Sequence, residues 1–274
     1  MKRVWGHVLA GASLLCGGAM VFSACVHDNS SIFIRNVLAQ KLQQGTGGQG
    51  CDYSTDPTQL YTSSGTLDIA LRTEYDAPFL VGNQLVQQAN SNQLRTETAF
   101  VTIQGAVVRI TDADGNEIRS FTRLTSSTIS PATGSVPSFE PIFVTIVDPT
   151  TLKASADVQA HIVPAALGQS GLVRLVTYTR FFGYTLGGQN VESDEFEFPV
   201  DICNGCLINF SNAQGLSTPN CVPNLANGAS STTPQVPCIV GEDLAADCAG
   251  CVSGFPACNG AYPNGAPSLD GGAG

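Results

Sequence analysis

The sequence has 274 residues and a formal net charge of -10, with 12 Lys and Arg against 22 Asp and Glu, and this balance makes nucleic acid, whose phosphates require a basic face, a poor candidate partner. Only three His are present, so catalysis that depends on His, and metal sites built on several imidazoles, are short of candidates. The single Trp and both Met, at Trp5, Met1 and Met20, lie near the start, and everything beyond is built without either.

Lys2 and Arg3 precede an apolar run over residues 8–22, the layout of an export signal. The run falls short of the about 20 residues that cross hydrocarbon as a helix. It closes on Val21-Phe22-Ser23-Ala24-Cys25, after which the chain turns polar at His27-Asp28-Asn29. Phe22-Ser23-Ala24-Cys25 resembles the lipobox of bacterial lipoproteins, with Phe22 where the family most often has Leu. The resemblance implies that residues 1–24 are a signal peptide and that Cys25 becomes the mature N-terminus, bearing a diacylglycerol thioether and an N-acyl chain such as palmitate. Val26 is not the Asp that holds some members at the inner membrane, so the implied address is the outer membrane, with a lipid anchor as the membrane contact.

Residues 25–50 are expected to be anchor and spacer. They contain a strand-like run at 32–38 and end in Gln44-Gly45-Thr46-Gly47-Gly48-Gln49-Gly50, a flexible composition. The next segment, 51–200, reads as strand after strand. Alternation at 66–75 puts Leu67, Ile69 and Leu71 on one side and Asp68 and Arg72 on the other. Further strands are expected at 79–81, 85–86, 99–111, 117–124, 142–147, 156–163, 172–184 and 195–200, with no convincing amphipathic helix. Such a pattern predicts an all-β antiparallel sandwich. The hairpin at Asp112-Ala113-Asp114-Gly115-Asn116 resembles those of immunoglobulin-like and transthyretin-like domains in secreted bacterial proteins, and this resemblance implies a sandwich of one of those types. Asp112, Asp114 and Asn116 also offer alternating oxygens as a weak calcium candidate, but position twelve of the loop is Arg123 where an EF-hand needs Glu. Residues 125–141, rich in Ser and Pro, are expected to form a long loop.

Eight cysteines follow Cys25: Cys51, Cys203, Cys206, Cys221, Cys238, Cys248, Cys251 and Cys258. Export implies an oxidising compartment, and the spacing of the two CxxC pairs departs from zinc ribbons, so all eight are disulfide candidates and no resident metal or other cofactor is expected. Seven lie in the last third of the chain, so complete pairing within the chain requires Cys51 to bond one of them. That bond closes a loop of at least about 150 residues, worth roughly 5 kcal/mol in the chain-entropy account. Residues 201–258 read as a disulfide-rich irregular extension without Lys or Arg, and 259–274 as a disordered Gly/Ala/Pro tail.

Catalytic constellations are sparse. His161 lies in an expected strand with no Gly-x-Ser-x-Gly elbow anywhere, and Glu192-Ser193-Asp194-Glu195-Phe196-Glu197 reads as the polar face of an edge strand. In Tyr178-Thr179-Arg180-Phe181-Phe182-Gly183-Tyr184, alternation puts Tyr178, Phe182 and Tyr184 on one face, which core packing explains most simply. The expectation is a non-catalytic envelope lipoprotein that binds an envelope protein or surface ligand. A purely structural role and an enzyme of unrecognised type are the alternatives.

Overall fold

The computed structural model describes residues 30–40, 53–89, 96–163, 171–209 and 238–247. It is an all-β molecule with two principal sheets. In chain order the strands are β1 (Ile32–Leu38), β2 (Tyr61–Thr62), β3 (Gly65–Asp68), β4 (Tyr75–Asn83), β5 (Val101–Thr111), β6 (Glu117–Ile129), β7 (Ser138–Val147), β8 (Val173–Thr185), β9 (Asn190–Glu192), β10 (Phe196–Cys203), β11 (Ile208–Asn209) and β12 (Ala246–Asp247). One sheet has the order β2-β1-β4-β7. The other runs β3-β10-β8-β5-β6, with β9 on β8, and β11 pairs with β12 separately.

The two sheets pack face to face, sandwich-like, because alternate residues of each are apolar. From β4, Tyr75, Ala77, Phe79 and Val81 point inward and meet Ile103, Ala106 and Val108 of β5, Leu175 and Phe181 of β8, and Phe198 and Val200 of β10 in one buried cluster. Phe79 stands edge-on to Phe181, with ring centroids 5.6 Å apart, and to Phe196 at 6.1 Å. On the outside of the same strand, Gly82 leaves room for the rings of Phe33 and Phe139, which meet edge-on at 5.8 Å; a Cβ at Gly82 would lie 2.5 Å from Phe33.

Several expectations change. β1 lies within the expected spacer yet pairs with both β4 and β2, so the folded body begins at Ile32 rather than near residue 51. The alternation over 66–75 is broken, because β3 ends at Asp68 and the chain turns, with the N–H groups of Leu71 and Arg72 both donating to Asp68 O at 3.0 Å. β4 runs through Gly82 without interruption. β3 pairs in parallel with β10, so the second sheet is mixed rather than purely antiparallel. The long loop expected at 125–141 shrinks to 130–137. β6 extends to Ile129 because β5 supplies a ladder partner as far as Val101, and its alternate Ser and Thr residues face solvent.

Residues 156–163 are not a strand. Asp148 caps a short helix, α1 (Pro149–Ala154), accepting the Thr151 N–H at 2.7 Å, with Pro at the start where its missing N–H costs nothing. Ser155 closes α1 and caps α2 (Ala156–His161), and the buried Leu152, Val158 and Ile162 join the core. Asp148 also receives Arg119 at 2.6 Å and Arg123 at 2.6 Å from the inward side of β6, and both guanidinium groups lie over the Phe121 ring between them.

The molecule has two distinct ends. At one lie Ile32, Asn83 and Ser138 of the first sheet and Val101, Ile129 and Thr185 of the second, tied by the buried Asn83, whose amide donates to Ala99 O at 2.9 Å and Ser130 O at 3.0 Å. At the other lie Tyr75, the 112–116 turn, both helices and Cys203.

Replacing Phe79 by Ala removes the ring that meets both Phe181 and Phe196. Chemical denaturation is expected to show a loss of about 3–5 kcal/mol, against less than about 0.5 kcal/mol for Leu124→Ala on the outer side of β6.

Candidate functional site

The residues singled out in the sequence fall in different places. Cys25, Cys51, Cys221, Cys248, Cys251 and Cys258 lie outside the described residues. Cys203 and Cys206 are joined by a disulfide and Cys238 is disulfide-bonded as well. Sulfurs joined in this way are not the thiolates that zinc binds. Asp112 accepts the N–H groups of Asp114 and Asn116 at 3.0 and 2.8 Å and the Asn116 side-chain amide at 2.8 Å, and these bonds, that of the Asn116 side chain foremost, hold its carboxyl below the usual range. Both of its oxygens are thus engaged in closing the hairpin, where Gly115 takes φ +88°. His161 is exposed on the last turn of α2, with Nδ1 3.0 Å from Asp157 O. The carboxylates of 192–197 are not paired with each other: Glu192 meets Arg180 and Glu195 meets Arg109, each at 2.8 Å.

The aromatic run of β8 divides as its alternation requires, but core packing accounts for Phe181 alone. Tyr178, Phe182 and Tyr184 face outward, partly exposed. Phe182 lies across Gly105 of β5, where a Cβ would come within 2.9 Å of the ring, and Arg109 covers Tyr178 at 4.1 Å. Leu124, 84% exposed on β6, sits opposite Gly105 in the register and extends the same row. The outer face of the second sheet is therefore a strip of rings bordered by Arg–carboxylate pairs.

A second cluster, at the Tyr75 end, had no signature in the sequence. Segment 238–247 inserts two acids beside β3 and β4. Asp243, at φ +55°, accepts the Thr66 N–H at 2.8 Å and the Tyr75 hydroxyl at 2.8 Å. Glu242 accepts the Asp76 N–H at 2.9 Å and meets Arg72 Nε at 3.0 Å, while Arg72 also pairs with Asp76. Asp68 is fully buried and accepts N–H groups from Ala70, Gly205 and Leu207 at 3.0, 2.6 and 2.8 Å, which fixes the Cys203–Cys206 loop. Burial pushes all three carboxyls up, Glu242 to about 8, and burial next to Glu242 and Asp243 pushes Tyr53 up to about 12. The one hint in the sequence is that Glu242-Asp243 is the sole acidic pair between Cys238 and Cys248.

The Ile32 end differs in chemistry. Ser30 O accepts Gln84 Nε2 at 2.6 Å and Ser31 O accepts the Gln84 N–H, so the chain enters the body beside Leu85 and Val86. Val86, Val136 and Leu186 are 50, 65 and 62% exposed here. Beside Val86 is a depression of about 390 Å³ lined by Leu85, Val86, Ala99, Thr185 and Gly187 among others. Among the described residues of 84–89, 96–100, 130–137 and 185–189, Glu97 alone is charged.

Glu242 gives the Tyr75 end a pH dependence. Its folded pKa of about 8 exceeds its ordinary value of 4.5, so between them the folded chain keeps a proton that the unfolded chain releases. The associated stability is complete below pH 4.5 and is lost as pH rises through 8. Thermal melts are expected to fall by roughly 3–8 °C between pH 5 and pH 9, and Glu242→Gln to flatten that decline. Comparison of the chain with protein-family models, with curated proteins and with solved structures finds no match.

Proposed function

We propose that this chain is a non-catalytic interaction module held on the bacterial outer membrane by lipid on Cys25, with the apolar Ile32 end against the bilayer and the Tyr75 end and outer ring strip directed to an envelope partner. The observation that carries this reading is the entry of the chain at the Ile32 end. Only residues 26–31 separate Cys25 from β1, a reach of roughly 25 Å even when fully extended, so an anchored body stays close to its membrane. The end on which the tether arrives carries Val86, Val136 and Leu186 in a setting that, among the described residues, is nearly free of charge, whereas the chain as a whole is strongly acidic. Contact with lipid there avoids most of the repulsion that anionic headgroups would exert on the rest of the molecule.

The body itself we assign to the immunoglobulin-like class. The chain passes from β2 in one sheet to β3 in the other, and β3 then pairs in parallel with β10, while β5, β8 and β10 stay antiparallel neighbours; this arrangement supports the assignment. The non-catalytic reading is supported by the Arg partners that occupy Glu192 and Glu195 and by the exposed, helix-end position of His161.

A chain starting at Cys25 contains no Trp, so one introduced ring reports its own surroundings. In the lipidated protein on vesicles, Leu186→Trp is expected to shift its fluorescence to the blue and to be quenched by brominated lipid, while Leu172→Trp at the other end, 64% exposed in the parent, stays solvent-like. Equal, solvent-like emission from both would refute the orientation. The intact mass tests the anchor separately: three acyl groups on a chain starting at Cys25 are expected, and none in Cys25→Ser.

A further inference from the structure

We propose that the Cys203–Cys206 pair is a thiol–disulfide exchange site, entered at Cys206 by an external dithiol and opened with the loop held in place by Asp68. It does not depend on the tether reading.

Three observations converge on this pair. The first is how little the bond has to hold. A disulfide that closes a loop of two intervening residues removes less freedom from the unfolded chain than a longer loop would. This loop is already fixed without it: Asp68 accepts the N–H groups of Gly205 and Leu207 at 2.6 and 2.8 Å, and Cys203 O accepts the Ile69 N–H at 2.9 Å. The second is asymmetry. Cys203 ends β10 fully buried, whereas Cys206 is exposed, so a thiolate arriving from solvent meets one sulfur only. The third is the neighbour of the buried sulfur. A carboxylate oxygen of Asp68 and both Sγ atoms lie within 4.8 Å of one another, in a region where Asp68 has no exposure to water.

The exchange follows from that placement. A thiolate of the dithiol attacks Cys206 Sγ; a new S–S bond forms to it, the Cys203–Cys206 bond breaks, and the electron pair leaves on Cys203 Sγ. Two adjacent buried anions would repel, so the Cys203 thiolate takes up a proton from solvent. The second thiol of the reagent then attacks its own bridged sulfur, closing the reagent's disulfide and releasing Cys206 as thiolate. The dithiol is oxidised by two electrons and the protein pair is reduced by two. The reverse sequence returns the pair to the disulfide. Asp68 acts as a positioning residue that keeps the loop in place through its N–H bonds, and its charge restrains departure of the buried thiolate.

The test is graded dithiothreitol on the folded full chain, followed by alkylation and fragment mass analysis, with circular dichroism recorded in parallel. Cys203 and Cys206 are expected to open together, reversibly and with the sheet signal intact, at reductant concentrations at least about ten-fold below those that open the disulfide of Cys238. Opening only together with loss of the sheet signal would make the pair a staple and overturn the proposal. Single-thiol variants test the asymmetry: with cystamine, Cys203→Ser is expected to form a mixed disulfide at Cys206 while folded, and Cys206→Ser to leave Cys203 unmodified. Capture at Cys203 instead would overturn it as well. Where Asp68→Asn folds, its opening rate at pH 8 is expected to rise at least about three-fold and to lose part of its pH dependence, which a purely structural Asp68 would not produce.

Discussion

Everything in this molecule hangs on the contact between the two sheets at Phe79. Its ring sits between Phe181 and Phe196, from two neighbouring strands of the opposite sheet, so one side chain of β4 fixes the spacing of β8 and β10 at once. Strand alternation then determines the rest. With Phe181 committed to the interior, Tyr178, Phe182 and Tyr184 must face outward. With Tyr75 inward at the end of β4, its hydroxyl reaches the edge of the core, and that polar tip needs a partner. Asp243 is that partner, so the docking of 238–247 is a consequence of where the core ends.

The two ends answer the same problem of closing an open sandwich in opposite ways. At the Ile32 end, Asn83 ties the sheets through carbonyls and leaves apolar side chains outside. At the Tyr75 end, closure uses acids, which burial makes costly unless donors surround them. Asp68 receives three backbone N–H groups, Asp243 a hydroxyl and an N–H, and Glu242 an N–H and Arg72. Glu242 still holds its proton near neutrality, because one guanidinium shared with Asp76 does not offset the loss of water.

The β character of the body was legible because period-two alternation is a local property of each strand. Tyr178, Phe182 and Tyr184 could be assigned to one face without knowing their neighbours. Asp68 misled for the same reason: in the alternation of 66–75 it occupies a polar position, and only the parallel pairing of β3 with β10 puts that position against Gly205 and Leu207. The helices were hidden by composition. Asp148-Pro149 and Ser155 are helix-start residues, yet 156–163 alternates well enough to pass for a strand, and six-residue helices present too little period to outweigh it. The docking of segment 238–247 was hinted at only by its acidic pair, because it docks through hydrogen bonds, whereas sequence pattern reports apolar burial.

β6 shows how the same ion pairs protect the molecule from its own kind. Among the described residues it is the outermost strand of its sheet, and it is thirteen residues long, the sort of edge on which a second chain could add a strand and start an aggregate. Its inward side carries Arg119 and Arg123 on either side of Phe121, both drawn to the carboxylate that caps α1. A strand arriving beside β6 would have to cover these two cations or pull them from Asp148 and loosen the helix cap. The edge thus resists self-templated growth through charge that is already employed in holding a helix.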